Sequence, residues 1–463
     1  MEKDFDQQIS ELFNQVKIKE ANSTLIIPFY TVSLPLLIPS LYSLVKRQLK
    51  KKSVFNFKKI YKIIKYCAFY LLWSIKWFVL FGIIKNKNIY LTSLMDRGDS
   101  YKLVNLILNE FDCKIIQYGI LTKFKLLFSN NIFCVPHFFL KQRIINVKNV
   151  YLDQIKNISS DLQQTINKIF KINTSQINLS AKIITGFINI HFIYKKIISQ
   201  LQKTNKINIF ISDRDFSSFS VVFINLCKQN KIPTIGIQHA IFFYEHLYKS
   251  VYSDYQFVWG KQNYERIIKG DNNNSKIIII GKNIQNNVMS KPTPADYWVY
   301  CLSAYDEPFI QTINRNLDDS LSLCDIIEGF SKKNNKKLLI RPHPSDMELA
   351  FPKKFSYSYK KLDKTMAQTE LFFIEDTSLI IDLLIAKKKF IYILNEANQD
   401  PLNLQRFGFK YLLKHTQNAE PLIKQILQEK PDDKIYKNIL DYFIQNNVNT
   451  NNEIKKSISV IIA

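Results

Sequence analysis

Short apolar runs recur along the chain at the intervals a strand–helix–strand alternation produces. Residues 89–94 read as a buried strand, closed by the loop Met95-Asp96-Arg97-Gly98-Asp99-Ser100, and residues 101–111 carry apolar positions at helical spacing. Residues 113–118 return to the strand pattern. After a helical, polar-faced stretch over 159–203, the alternation resumes with a strand at 207–212, a helix at 216–229 and strands at 234–238, 254–259 and 276–280. Residues 281–294, rich in Asn and Gln and ending in Pro292 and Pro294, have the composition of a linker. A second alternation then predicts strands at 297–303, 337–340, 371–374 and 389–394, a helix at 379–386, and helices from Pro421 onward. Unbroken Val, Ile and Phe runs suit parallel strands buried on both faces. The expected fold is α/β, with two Rossmann-like domains facing a cleft and a helical N-terminal segment. The expected boundaries are 1–87 for that segment, 88–290 and 295–420 for the two domains, and 421–463 for the C-terminal helices.

Composition agrees with this and adds one question. A length of 463 residues, 46% hydrophobic and 22% charged, is enough for several cored globular units. The formal charge of +25 attracts polyanions, although a Lys-, Asn- and Ile-rich composition accounts for part of it. The lysines are dispersed and no helix-turn-helix, RRM, KH or zinc signature is present, so nucleic acid is not an expected partner. Six cysteines without a CxxC pair fit free thiols in a reducing, cytoplasmic setting and argue against a structural zinc. The acidic start, Met1 to Asp6, is not a secretory signal. Residues 21–45 are uncharged and long enough to cross a bilayer, but Pro28, Pro35 and Pro39 interrupt any helix there. Lys46, Arg47, Lys50, Lys51 and Lys52 follow, and residues 68–84 are rich in interfacial aromatics such as Trp73 and Trp77. A span, an interfacial patch and ordinary buried helices are the alternatives. The prolines and the basic cluster favour peripheral contact at the inner face of the cytoplasmic membrane.

Candidate chemistry collects at predicted strand ends. An apolar strand runs into Arg341-Pro342-His343-Pro344, where the prolines restrict the backbone around one imidazole and Arg341 offers a bidentate grip on phosphate. A protonated His343 would neutralise a departing phosphate; the plain alternative is a surface turn. Another strand enters Glu375-Asp376-Thr377-Ser378 and then a helix, so Thr377 and Ser378 either cap that helix or present donors to phosphate. In the first half, Asp213 and His239 end adjacent strands, and either could take a proton from an acceptor hydroxyl. Here too there is a plainer account: Asp213 pairs with Arg214, Asp215 caps a helix and His239 is a satisfied polar residue. Asp96 and Asp99, after the first strand, are second candidates for the base. Asp213-Arg214-Asp215 is also a literal Asp-x-Asp of the metal-binding kind, discounted because the phosphate elements lie downstream in another βα domain.

The ordered set Asp213-Arg214, Ile232-Pro233-Thr234 to Gln238-His239, Ser253-Asp254-Tyr255 to Trp259-Gly260, Ile279-Ile280-Gly281, Arg341 to Pro344, and Glu375-Asp376 with Ser378 resembles a group of bacterial surface-polysaccharide transferases. The group comprises capsule Kdo transferases, bacterial sialyl- and polysialyltransferases and teichoic-acid glycerophosphotransferases, and the resemblance spans roughly residues 205–395. It implies a GT-B fold and a nucleotide-activated donor, commonly a CMP-sugar such as CMP-Kdo or CMP-sialic acid. His343, Thr377 and Ser378 would hold that donor with Arg341, Pro344, Glu375 and Asp376 around them, while Asp213 and His239 would serve the acceptor. The acceptor would be a surface glycan such as capsule or lipooligosaccharide, free or lipid-linked. No cofactor and no metal is implied. Ala240 replaces the glycine that usually follows the Gln-His pair, and the acid-acid-Gly motif of the sialyltransferases has no clear copy. A CDP-glycerol-type glycerophosphotransferase, a UDP-sugar transferase or epimerase, and a non-catalytic nucleic-acid- or membrane-binding protein are the alternatives.

Overall fold

The computed structural model of the chain describes residues 87–94, 98–118, 128–135, 197–203, 205–213, 218–238, 252–269, 275–282, 295–303, 317–343, 352–358, 362–394, 400–414, 417–445 and 449–463, with isolated positions elsewhere. The apolar stretches 21–45 and 68–84 lie outside the described residues apart from Leu72. Among the described residues no helix is long and apolar enough to cross a membrane.

Seven parallel strands make the first sheet: β1 (Asn88–Ser93), β2 (Lys114–Tyr118), β3 (Ile132–Val135), β4 (Lys206–Ser212), β5 (Thr234–Ile237), β6 (Tyr255–Val258) and β7 (Lys276–Ile279). Their order is β3-β2-β1-β4-β5-β6-β7. Side chains alternate between faces, which explains the apolar runs. Ile89, Leu91 and Phe210 face one core with Val221, Val222 and Ile224 of helix α2 (Ser218–Gln229). Tyr90, Ile209 and Ile211 face the other, with Val104 and Ile107 of helix α1 (Gly98–Glu110). Helix α3 (Lys261–Lys269) follows β6.

The second sheet has five parallel strands, β8 (Tyr297–Cys301), β9 (Lys337–Arg341), β10 (Thr369–Ile374), β11 (Lys389–Ile393) and β12 (Leu412–Leu413), in the order β12-β11-β10-β8-β9. Its core is aromatic: Trp298, Tyr300, Phe372, Phe373 and Phe390 are fully buried. Around it pack α4 (Leu317–Lys333), α5 (Leu362–Ala367), α6 (Leu379–Ile385), α7 (Glu420–Gln428) and α8 (Asp433–Phe443). The chain thus has the expected GT-B architecture of two Rossmann-like parallel sheets. Strands β3 and β12 and helices α3, α4 and α5 were not expected. The two strands are short; α4 buries Leu317, Leu321, Cys324 and Ile327 at helical spacing, with Asp318, Asp319 and Asp325 on its exposed side. None of the five described cysteines forms a disulfide and all are buried, and burial pushes the Cys113 and Cys301 thiols up to about 12.

The tail beyond Pro421 is shared between the two halves. Helices α7 and α8 pack on the second core, whereas α9 (Thr450–Ile462) returns to the first and inserts Ile454 and Ile458 beside Tyr90 and Val104. The returning chain is held where it leaves α8: Gln445 N donates to the Trp259 carbonyl at 2.9 Å, and Tyr442 Oη donates to Glu265 at 2.9 Å. The Arg406 guanidinium lies 3.7 Å from the Tyr442 ring centroid. Gly260 makes this approach fit, because a Cβ there would stand 2.6 Å from the Phe443 carbonyl carbon and oxygen. Backbone cannot turn aside as a side chain can. Gly260→Ala is therefore expected to cost roughly 1–3 kcal/mol by overpacking. Gly329→Ala, in open space within α4, should instead stabilise by about 0.5–1 kcal/mol. Urea denaturation of the two variants beside the wild type checks both signs.

Candidate functional site

In an open parallel sheet, the crevice for ligands lies at the carboxyl ends of the strands, where the strand order reverses. The first sheet reverses between β1 and β4, and the second between β8 and β10. Both reversal points carry residues singled out by the sequence.

At the first, Asp213 follows β4 and is buried, 6% exposed. Its Oδ2 accepts from Ser100 Oγ of α1 at 3.2 Å, and its amide donates to the Ser93 carbonyl at 3.4 Å. The acid is thereby fixed between the ends of β1 and β4. Ser212 and Ser220 form a small buried hydroxyl pair behind it, 3.0 Å apart. Gln238 ends β5 as a clamp: its amide donates to the Phe257 carbonyl at 2.9 Å and its Oε1 accepts from Trp259 N at 2.6 Å. Asp99 belongs to the first turn of α1. Asp96, Arg214, Asp215, His239 and Ala240 lie outside the described residues.

At the second reversal point, Glu375 and Asp376 are fully buried. Glu375 accepts from Tyr300 Oη at 2.9 Å and from Ser303 N at 2.7 Å. Tyr392 Oη donates to Asp376 Oδ1, and Ser303 Oγ donates to the Asp376 carbonyl at 3.1 Å. These carboxylates therefore tie β8, β10 and β11 together beneath the exposed part of the motif. Thr377 and Ser378 stand above them, half-buried. Thr377 Oγ1 accepts from Leu379 N at 3.3 Å, while the Ser378 side chain makes no cap bond to α6. Arg341 ends β9 beside β8, where its carbonyl accepts from Leu302 N at 3.0 Å. His343 is two residues further on, and Pro344 lies outside the described residues.

Among the described residues the two ends meet through a hydrogen bond, and Ile241 packs into the second core. Ile241 N, three residues past the Gln238 clamp, donates to Ser378 Oγ at 3.1 Å. The hydroxyl that plain capping would have used is turned toward the other sheet. On the first-sheet side lies a cavity of about 120 Å³, lined by Ser100, Asp213, Gln238, Lys282, Thr450 and Asn451 among apolar neighbours. The Lys282 ammonium sits 4.1 Å over the Trp259 ring. Sequence reasoning did not single out Ser100, Ser303, Lys282 or Thr450. Ser303 ends a predicted strand and could have been found; Thr450 reaches the cavity only because the last helix folds back.

Burial also corrects one expectation. Desolvation lowers the His343 imidazole from 6.5 to about 4, so its resting form near neutral pH is uncharged. It can offer one N–H to an anion, not a standing positive charge.

No protein-family model and no curated protein sequence matches the chain. Solved structures similar to it include the UDP-GlcNAc 2-epimerase of Methanocaldococcus jannaschii in complex with UDP-GlcNAc and UDP, at 11% identity over 76% of this chain and 98% of that one, TM-score 0.41. Another is MnaA of S. aureus with UDP, at 9% identity over 76% and 91%, TM-score 0.42. A third is the wall teichoic acid polymerase TagF, at 11% identity over 88% and 99%, TM-score 0.42.

The neutral imidazole has a measurable consequence. The unfolded chain protonates His343 as pH falls through 6.5, and the folded chain only near 4, so the unfolded state binds more protons in between. Stability should fall from pH 6.5 toward 4, and His343→Gln should remove on the order of 2 kcal/mol of that loss. Denaturation of both proteins at pH 7 and pH 4.5 gives the difference; equal losses would mean His343 is not desolvated.

Proposed function

We propose that this chain is a transferase that moves a sugar from a nucleotide-activated donor to the hydroxyl of a glycan or lipid-linked acceptor. The observation that carries this is the Ile241 to Ser378 bond, which joins the two strand-end clusters into one site. A group transfer needs both: phosphate-binding donors on one wall and a proton acceptor on the other.

On the donor wall, Arg341, the His343 N–H and the Thr377 and Ser378 hydroxyls would bind the nucleotide phosphate and stabilise it as it leaves. Glu375 and Asp376 hold that wall in place. On the acceptor wall, Asp213 or His239 would remove the proton as the acceptor oxygen attacks the anomeric carbon. With retention, Asp213 would be the nucleophile instead. Asp96 and Asp99 remain second candidates for the base. Resemblance favours a CMP-sugar, with CDP-glycerol and UDP-sugars as alternatives. The work would take place at the cytoplasmic face of the membrane, where the basic cluster 46–52 and the apolar stretches beside it would meet anionic lipid.

Thermal shift with cytidine, uridine and guanosine nucleotides tests the donor wall. A nucleotide that fits should stabilise the protein by about 2.7 kcal/mol at a hundred times its Kd. Arg341→Ala and His343→Ala should each weaken it roughly tenfold to a hundredfold, the cost of losing a hydrogen bond to a charged group. A wild type that no nucleotide stabilises would refute the proposal.

A further inference from the structure

The cavity at the first reversal point has a wall that comes from the far end of the chain. Thr450 and Asn451 open helix α9, and Ile454 follows one turn later. Thr450 is only 7% exposed, and its Oγ1 is enclosed with no hydrogen-bond partner among the described residues. Buried hydroxyls are nearly always bonded, and one that is not lowers the stability of the free protein. Thr450 lines the same cavity as Asp213, Ser100 and Gln238. Lys102, Lys282, aliphatic side chains and the Trp259 ring complete the lining. Hydroxyl, carboxylate, ammonium and amide groups set among apolar and aromatic surfaces suit a molecule with hydroxyls on its edge and C–H groups on its face.

We infer that this cavity binds one sugar or polyol unit of the acceptor, and that Thr450 of the last helix hydrogen-bonds one of its hydroxyls. The inference rests on the reading of Asp213 as an acceptor-side acid. At about 120 Å³ the cavity is well below the roughly 300–1,000 Å³ of pockets that enclose whole drug-sized ligands, so its enclosed part takes one unit, with the rest of the acceptor outside it. Threonine in a helix populates two χ1 rotamers, so rotation about one bond brings Oγ1 to a ligand oxygen. The role also accounts for α9 crossing back to the first sheet, since without the crossing the cavity loses this wall.

Thr450→Val keeps the shape and removes the hydroxyl. In the full-length protein it should raise the Tm slightly, because an unpaired buried hydroxyl is gone. It should also weaken binding of glycerol, glucose and galactose at least tenfold by saturation-transfer NMR. Loss of the polyol signal with a Tm at or above that of the wild type supports the inference. It is overturned if none of the three polyols binds the wild type, if Thr450→Val binds them as before, or if the variant's Tm falls. Nucleotide shifts measured on the same samples separate the two claims. Polyol binding without nucleotide binding would refute the transfer reading and leave the cavity's ligand standing, and nucleotide binding without polyol binding would refute only the latter.

Discussion

The buried carboxylate of Glu375 is the constraint on which the donor side depends. It has no solvent exposure, so its oxygens must find donors inside the protein, and they find Tyr300 Oη and Ser303 N. Tyr300 belongs to β8 and Glu375 follows β10, so satisfying one charge sets the spacing of the two strands at the reversal point. Ser303 then closes the arrangement by donating to the Asp376 carbonyl. Thr377 and Ser378 stand on this platform, and Ser378 is therefore aimed at Ile241 across the cleft. Removing either partner would take a hydrogen bond from a buried charge-bearing group, a loss the platform beneath the site would feel first.

Two contacts between the halves, among the described residues, differ in character. One is polar and lies at the site, the Ile241 to Ser378 bond. The other is packed and lies behind it, where α8 leaves the second core past Gly260 and Tyr442 meets Glu265 and Arg406. The second contact buries aromatic surface and leaves no room even for a methyl group, so it acts as a fixed support. The first is a single neutral hydrogen bond, on the scale of about 1 kcal/mol net, which a ligand's own contacts can replace. A phosphate arriving at Ser378 would accept the O–H hydrogen of the hydroxyl, whose oxygen already accepts from Ile241 N.

Electrostatics at the donor wall follow from the same burial. Arg341 carries a permanent charge, whereas His343 is kept neutral by desolvation. Two prolines around the imidazole restrict its direction, and direction is what a neutral N–H needs to be useful. The wall would thus combine one standing cation with oriented dipoles, as suits a site that must release its anion after the reaction.

Most of the strands were legible in the sequence, because parallel strands buried on both faces write themselves as unbroken apolar runs. The segment from Lys206 to Ser212 and the segment from Thr369 to Ile374 are the clearest cases, and the polar residues after each marked both strand ends. Helix α4 was legible in the spacing of Leu317, Leu321, Cys324 and Ile327 but was not read, and β3 and β12 were missed because a few residues carry too little periodicity. The sequence could also place Asp213, Arg341, His343, Thr377 and Ser378 at strand ends, since that needs only local order. Which ends face each other, whether an imidazole is charged, and which carboxylates face inward are decided by neighbours distant in sequence. Glu375 and Asp376 read as ligand contacts until burial showed them to be supports. Thr450 read as nothing until α9 folded back onto the first sheet. Local patterning sets each element and its termini, whereas desolvation and long-range contacts set what the side chains at those termini can do.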